Sequence, residues 1–114
     1  MTSESFHDIS TEISSGTLKV RIMELQNGLL ILLSDSDEFR LGLSAVAMPG
    51  MEDRKNPTST GIFTFDTNAM LIRTLSEQIT TISGQSCMVI SSVRNLNQLK
   101  LMEIMNVLKG ILTA

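Results

Sequence analysis

Tryptophan and tyrosine are absent from these 114 residues, and only four phenylalanines are present. Stacking platforms for nucleic-acid bases and aromatic shelves for sugars are therefore nearly excluded. There is one histidine, His7, and one cysteine, Cys87. A lone cysteine forms no internal disulfide, which points to a reducing compartment, cytosol or nucleus. A lone histidine without a second one or a clustered carboxylate builds no metal site. Basic charge is scarce too: nine Lys and Arg against twelve Asp and Glu leave a net charge of −3. Arg54–Lys55 is the only adjacent basic pair, so the patch that phosphate neutralisation requires is missing. The longest unbroken apolar run, Leu29–Leu33, is far too short to span a bilayer. Met1–Ser5 has neither a basic nor an apolar stretch and is not expected to act as a signal peptide. No Asn-x-Ser/Thr acceptor occurs, because Asn56 is followed by Pro57.

What is present is apolar patterning. Hydrophobic residues make up 42% of the chain, enough for one globular domain with a real core and too few residues for two. Phe6–Ile13 alternates, with Phe6 on one face and His7, Ile9 and Ile13 on the other, and reads as a short strand. Ser14–Ser15–Gly16 is a turn. Thr17–Gln26 alternates clearly, with Leu18, Val20 and Ile22 opposite Lys19 and Arg21, although Met23 and Leu25 break the polarity of the outer face. Asn27–Gly28 tolerates positive φ at both positions and predicts a type I′ hairpin loop. Leu29–Leu33 returns as a strand that is apolar on both faces, so it belongs in the sheet centre or against a partner. Ser34–Glu38 is an acidic turn, and Phe39–Met48 a further strand with Phe39, Leu41, Leu43, Ala45 and Ala47 on one face.

Pro49–Thr60 holds both prolines and a charged cluster and predicts an exposed, mobile loop at about 49–60. Asp66–Ile82 fits an amphipathic helix capped by Asp66, with Asn68, Ile72, Leu75, Ile79 and Ile82 on one face and Gly84 as its C-terminal glycine. Gln85–Val93 is a strand with Met88 and Ile90 facing away from Cys87, Val89 and Val93. Arg94–Asn95 turns the chain. The expected class is α+β, a mainly antiparallel sheet of about five to six strands with two helices in the order β-β-β-β-α-β-α. Both helices are expected on one sheet face.

The last stretch, Leu96–Leu112, reads as a helix that Asn97 can cap. Ten of its seventeen residues are Leu, Ile, Val or Met. At about 100° per residue, eight of them fill an arc of roughly 180°, where a helix on one core needs about 100°. Leu99 and Met102 fall on the far, polar side. Surplus apolar surface calls for a second protein.

Reactive groups have few companions. His7 reads as a surface or edge-strand residue, and Cys87 as a small buried hydrophobe rather than a nucleophile. Asp35, Asp37 and Glu38 share only their charge with a calcium loop and read as a solvated hairpin turn. Thr58–Ser59–Thr60–Gly61 precedes a helix, where hydroxyls and backbone N–H groups can take an anion. Ile62 stands where a phosphate loop needs lysine, so a hydroxyl-rich lead-in to the helix is the plainer reading. No cofactor, metal or catalytic residue is expected.

Leu18–Met48, with the run Leu43–Ser44–Ala45–Val46–Ala47–Met48, resembles the proteasome assembly chaperone 4 family. So do Phe6–His7–Asp8–Ile9–Ser10, Pro57–Thr58–Ser59–Thr60–Gly61, and Gly84–Gln85–Ser86–Cys87–Met88–Val89–Ile90–Ser91–Ser92–Val93. Ile62–Leu71 departs from the pattern as an insertion. The resemblance implies a non-catalytic chaperone that pairs with a structurally similar chaperone 3 type subunit. It implies that the pair transiently binds alpha-type subunits while the alpha ring of the 20S proteasome assembles. The expected location is cytoplasmic, and also nuclear. For the partner interface the apolar pattern offers Leu30, Leu32, Met88 and Ile90 on the sheet, and Leu99, Met102 and Met105 on the last helix. The alternative is a small ligand- or anion-binding domain, or an enzyme, that uses the Thr58–Gly61 loop.

Overall fold

The computed structural model describes residues 5–50, 56–62 and 69–113. The chain runs β1 (Ser5–Ile13), β2 (Gly16–Leu25), β3 (Gly28–Ser34), β4 (Leu43–Met48), β5 (Thr58–Ile62), α1 (Ala69–Ser83), β6 (Ser86–Ser91) and α2 (Gln98–Leu112). The six strands form one sheet in the order β1-β2-β3-β6-β4-β5. Four of the five pairings are antiparallel, and β3 runs parallel to β6. The α+β class, the mainly antiparallel sheet and the two helices are those expected. Leu29–Leu33 is central, flanked by β2 and β6.

Both helices lie on the same sheet face. α1 packs on β4, β5 and β6, and α2 packs on α1 and β1. Register explains which side chains they bury. Ile22 opposes Ile31, Ile31 opposes Val89, and Val89 opposes Ala45, so these four share one face. With Leu18, Val20, Leu29, Leu33, Ala47 and Cys87 they form the sheet half of the core. Ile72, Leu75 and Ile79 from α1, and Leu101, Ile104 and Leu108 from α2, supply the other half.

The helix ends are set by local chemistry. Asn97 caps α2, its Oδ1 accepting the Lys100 N–H at 2.8 Å. Leu96 just before the cap and Leu101 four residues after it are both buried, the spacing of a hydrophobic staple. Gly84 ends α1 at φ +71°, donating its N–H to the Thr80 carbonyl at 2.8 Å. Asp66 and Asn68 lie outside the described residues. Across the domain, Ser14 N and Oγ donate to the Glu103 carboxylate at 2.8 and 2.7 Å, which fastens the β1–β2 turn to α2.

Several local expectations are corrected. The β2–β3 loop is Gln26–Asn27, because Leu25 pairs with Gly28. The only described non-glycine with positive φ is Asn95, so no type I′ loop forms. Gly28 serves instead as a strand residue whose backbone runs against β6. A Cβ there would lie 2.4 Å from the Ser86 carbonyl oxygen. β4 starts at Leu43 rather than Phe39. The acidic segment after β3 is no hairpin turn, since β6 sits between β3 and β4. The chain must pass the end of β6 there, and at Gly42 a Cβ would lie 2.4 Å from the Ser91 carbonyl oxygen. Thr58–Ile62, read as the end of a loop and a helix lead-in, is an edge strand paired with β4. Residues 51–55 of that loop lie outside the described residues.

The apolar arc of α2 is used mostly within its own domain. Leu101, Ile104 and Leu108 are buried, and Met105, Val107, Ile111 and Leu112 pack against the same core. Because β1 and α1 both meet this helix, its own domain uses most of the arc. Leu99 and Met102, 61% and 57% exposed, remain outside.

The close backbone approach at Gly28, set against the open position at Gly110, gives a direct test. Gly28→Ala should destabilise the fold by about 1–3 kcal/mol, because the Ser86 backbone cannot move away freely. Gly110→Ala, at a helix position with nothing within 4 Å, should instead add about 0.5–1 kcal/mol. Urea unfolding of both variants checks the opposite signs.

Candidate interaction surface

Among the described residues, no helix lies on the other face of the sheet. Residues alternate between faces along each strand, so those between the core positions point to this open side. One cross-strand row reads Phe6, Met23, Leu30, Met88, Val46, Thr60. The next reads Asp8, Arg21, Leu32, Ile90, Ser44, Ile62. At about 4.8 Å between strands, the apolar part of the first row reaches on the order of 19 Å. Phe6 and Met48, both on this side, are 58% and 57% exposed. Leu30, Leu32, Met88 and Val46 are half-buried. On β3, β6, β4 and β5 the open side carries no charged residue, only aliphatic, thioether and hydroxyl groups.

Charge is confined to the β1–β2 margin. Arg21 binds Asp8 bidentately, at 2.7 Å from Nε and 2.8 Å from Nη2. Its guanidinium also lies between two rings, 5.3 Å from the centre of Phe6 and 5.0 Å from that of Phe39. Phe39 therefore belongs to a strap, not to a strand: the segment after β3 reaches back across β2 and is held there. Lys19 and Asp37, 3.3 Å apart, add a second attachment. A third is Asp35, whose Oδ2 accepts the Arg94 N–H at 2.9 Å. Partial burial pushes the Asp35 carboxyl up, but the Arg94 backbone and side chain outweigh it and leave it below the usual range. Arg21 holds Asp8 low in the same way, chiefly through the side-chain hydrogen bond.

The seven candidate interface residues separate onto different surfaces. Leu30, Leu32 and Met88 are neighbours on the open sheet face, with Ile90 beside them but only 9% exposed. Leu99 and Met102 lie on the helix layer, across the domain. Met105 is half-buried there and, with Met102, lines a shallow groove between α1 and α2 beside Thr74 and Gln78. Sequence reading missed Val46, Met48 and Ile62 as members of the open face. The apolar Met23 and Leu25 on the outer face of β2 were the one signal that pointed to them.

The residues weighed for chemistry are dispersed. His7 sits on edge strand β1, exposed, with Nε2 3.5 Å from Glu24. Cys87 is buried in the core, where Thr80 Oγ1 donates to its Sγ at 3.3 Å and Sγ donates to the Ser76 carbonyl at 3.3 Å. Burial pushes its thiol up, away from a reactive thiolate. Among the described residues no three His, Cys, Asp or Glu side chains group to hold a metal ion. No described helix is long and apolar enough to cross a membrane. Thr58, Ser59 and Thr60 do not converge. Thr58 and Thr60 point to the open face and Ser59 to α1, where its hydroxyl donates to Glu77 and accepts from Arg73 Nε at 3.1 Å. A strand cannot gather these hydroxyls around one anion.

The architecture is thus a two-layer α+β domain with helices on one sheet face and, on the other, an apolar surface whose charges lie along the β1–β2 margin. It shares this fold with a chain from the crystal structure of a novel chaperone complex for yeast 20S proteasome assembly. The two are 20% identical, the match covers 95% of this chain and 93% of that one, and the TM-score is 0.54. At that identity the likeness is one of fold. No protein-family model matches the sequence, and no curated protein does.

The Asp8–Arg21 pair yields a pH prediction. Because the folded state lowers the Asp8 pKa, its contribution to stability is present above about pH 4 and is lost as the pH falls through the folded-state value. Asp8→Asn should therefore melt below the parent protein at pH 6 and approach it at pH 3. A gap of constant size across that range would rule out the pair as its source.

Proposed function

We propose that this protein is a non-catalytic assembly chaperone of the 20S proteasome. In this reading it forms a heterodimer with a structurally similar subunit of the chaperone 3 type. The pair transiently binds alpha-type subunits while the alpha ring assembles. The observation that carries the reading is the apolar sheet face over β3, β6 and β4, free of helices among the described residues, on a fold shared with a chain of a proteasome-assembly chaperone complex. A lasting partner needs an apolar surface of this kind, and a transient client needs a smaller, more polar one.

The sheet face with Leu30, Leu32, Met88 and Ile90 is then the seam with the partner subunit. The helix-layer residues Leu99, Met102 and Met105 are left for the client on the far side. The resemblance of Leu43–Met48 and of Gly84–Val93 to the chaperone 4 family supports this choice of member. Work in a reducing compartment, the cytoplasm and also the nucleus, agrees with the single unpaired cysteine.

Affinity purification from cell extract tests the function: alpha-type proteasome subunits and one small partner should co-purify. Recovery of neither would remove the proposal. A double variant, Leu30→Ser with Met88→Ser, should lose the partner while keeping its fold, because both side chains are only half-buried. Leu99→Ser with Met102→Ser should keep the partner and lose the alpha subunit. Alone, the parent chain should self-associate at micromolar concentration by light scattering, and a compact stable monomer would count against the seam.

A further inference from the structure

A second docking element lies along the outer side of β1. This nine-residue strand is terminal in the sheet, and among the described residues nothing pairs with its free edge. In an extended strand alternate N–H and C=O groups point away from the single neighbour, so this edge is a ready template for another strand. No proline interrupts the strand, and the pairing with β2 is continuous from Ser5 to Ile13, without a bulge. The usual devices that blunt an edge are thus largely missing.

The two ends of the edge differ chemically. At the start, a groove of about 660 Å³, lined in part by Phe6, His7, Asp8 and Glu24, opens between β1 and the end of α2, and its aliphatic lining is Ile9, Ile22, Leu29, Ile111 and Leu112. These residues are on the helix side of the sheet. At the other end is Glu12, on the open side, accepting from the Thr17 hydroxyl at 2.8 Å and paired with no cation among the described residues. β1 contains Asp8 and Glu12 and no Lys or Arg. Asp8 is already neutralised by Arg21, so Glu12 is the charge left for an incoming chain.

We infer that the β1 edge binds an extended segment of another protein by strand addition. The segment carries an apolar side chain for the groove and a lysine or arginine for Glu12. A directly opposed residue shares its partner's face of the sheet. The apolar residue beside Ile9 therefore faces the helix side, and the base beside Glu12 faces the open side. The two must be an odd number of positions apart, and three positions span about 10 Å, the distance from Ile9 to Glu12 along the strand. A second copy of β1 fits poorly, since it brings a second Glu12 and no lysine or arginine. This site is separate from the Leu30–Met88 face and does not depend on the assembly-chaperone reading.

The probe is a labelled peptide, acetyl-Thr-Val-Thr-Leu-Thr-Val-Lys-Thr-amide, titrated into the full chain and followed by anisotropy and amide NMR. Saturable binding is expected, with the shifts concentrated on Phe6–Ile13 and Ile111–Leu112. Methylating the backbone nitrogens of one alternate set of peptide residues should abolish binding, and methylating the other set should not. Glu12→Lys should weaken the peptide roughly threefold, and replacing the peptide lysine with glutamate should restore it on that variant. The proposal is overturned if no saturable binding occurs, if both methylated peptides bind, or if the shifts fall on Leu30, Leu32 and Met88. It is equally overturned if β1 pairs with a second copy of itself and excludes the peptide.

Discussion

Six strands and only two helices leave the sheet half-covered, and the rest of the molecule follows from that imbalance. An apolar sheet face must be buried against something. Here α1 and α2 together cover one face. On the other, the same strands present Leu30, Leu32, Met88 and Val46 with no helix above them among the described residues. Hydrophobic burial is therefore complete on one side of the domain and deferred on the other. A surface of this kind is stabilised by association, at about 25 cal/mol for each Å² of apolar area removed from water.

The strap after β3 limits how far that open face extends. It is held by the Arg21 guanidinium between two rings, by Lys19 and by Arg94. These attachments are largely exposed, so each one contributes little to stability. Their role is geometric. They place the charged groups of the open face along the β1–β2 margin and leave β3, β6 and β4 uncharged. An apolar centre with polar groups at its rim is the anatomy of a protein–protein contact.

The reactive residues are used structurally. Cys87 packs under α1, its sulfur linked to Thr80 and Ser76. Ser59 is a tether between β5 and α1 through Arg73 and Glu77. The Cys87 thiol and the Ser59 hydroxyl are each satisfied by a neighbour in the fold. What the molecule offers on its surface is shape, apolar area and unpaired backbone.

Periodicity alone identified β1, β2, β3, β6 and both helices, because alternation and the 3.6-residue repeat are local properties of a half-buried element. It also identified Asn97 and Gly84, whose capping roles depend only on adjacent residues. β5 was not legible: Thr58–Ile62 has no strong pattern and is a strand because β4 and Arg73 hold it. Nor was the start of β4, since the apolar alternation runs back to Phe39 while β6 blocks the path at Gly42. The candidate interface was half legible. Leu30, Leu32 and Met88 are apolar where the opposite face of their strands is already filled, but their adjacency requires β6 to enter between β3 and β4. The excess apolar arc of α2 pointed to a partner, and tertiary packing assigned most of it to the protein's own core. Sequence by itself determined which residues must leave water, because that depends on side-chain chemistry and spacing. Only the tertiary structure decided which of them the domain covers itself, because that depends on strand order and on two helices taking the same side.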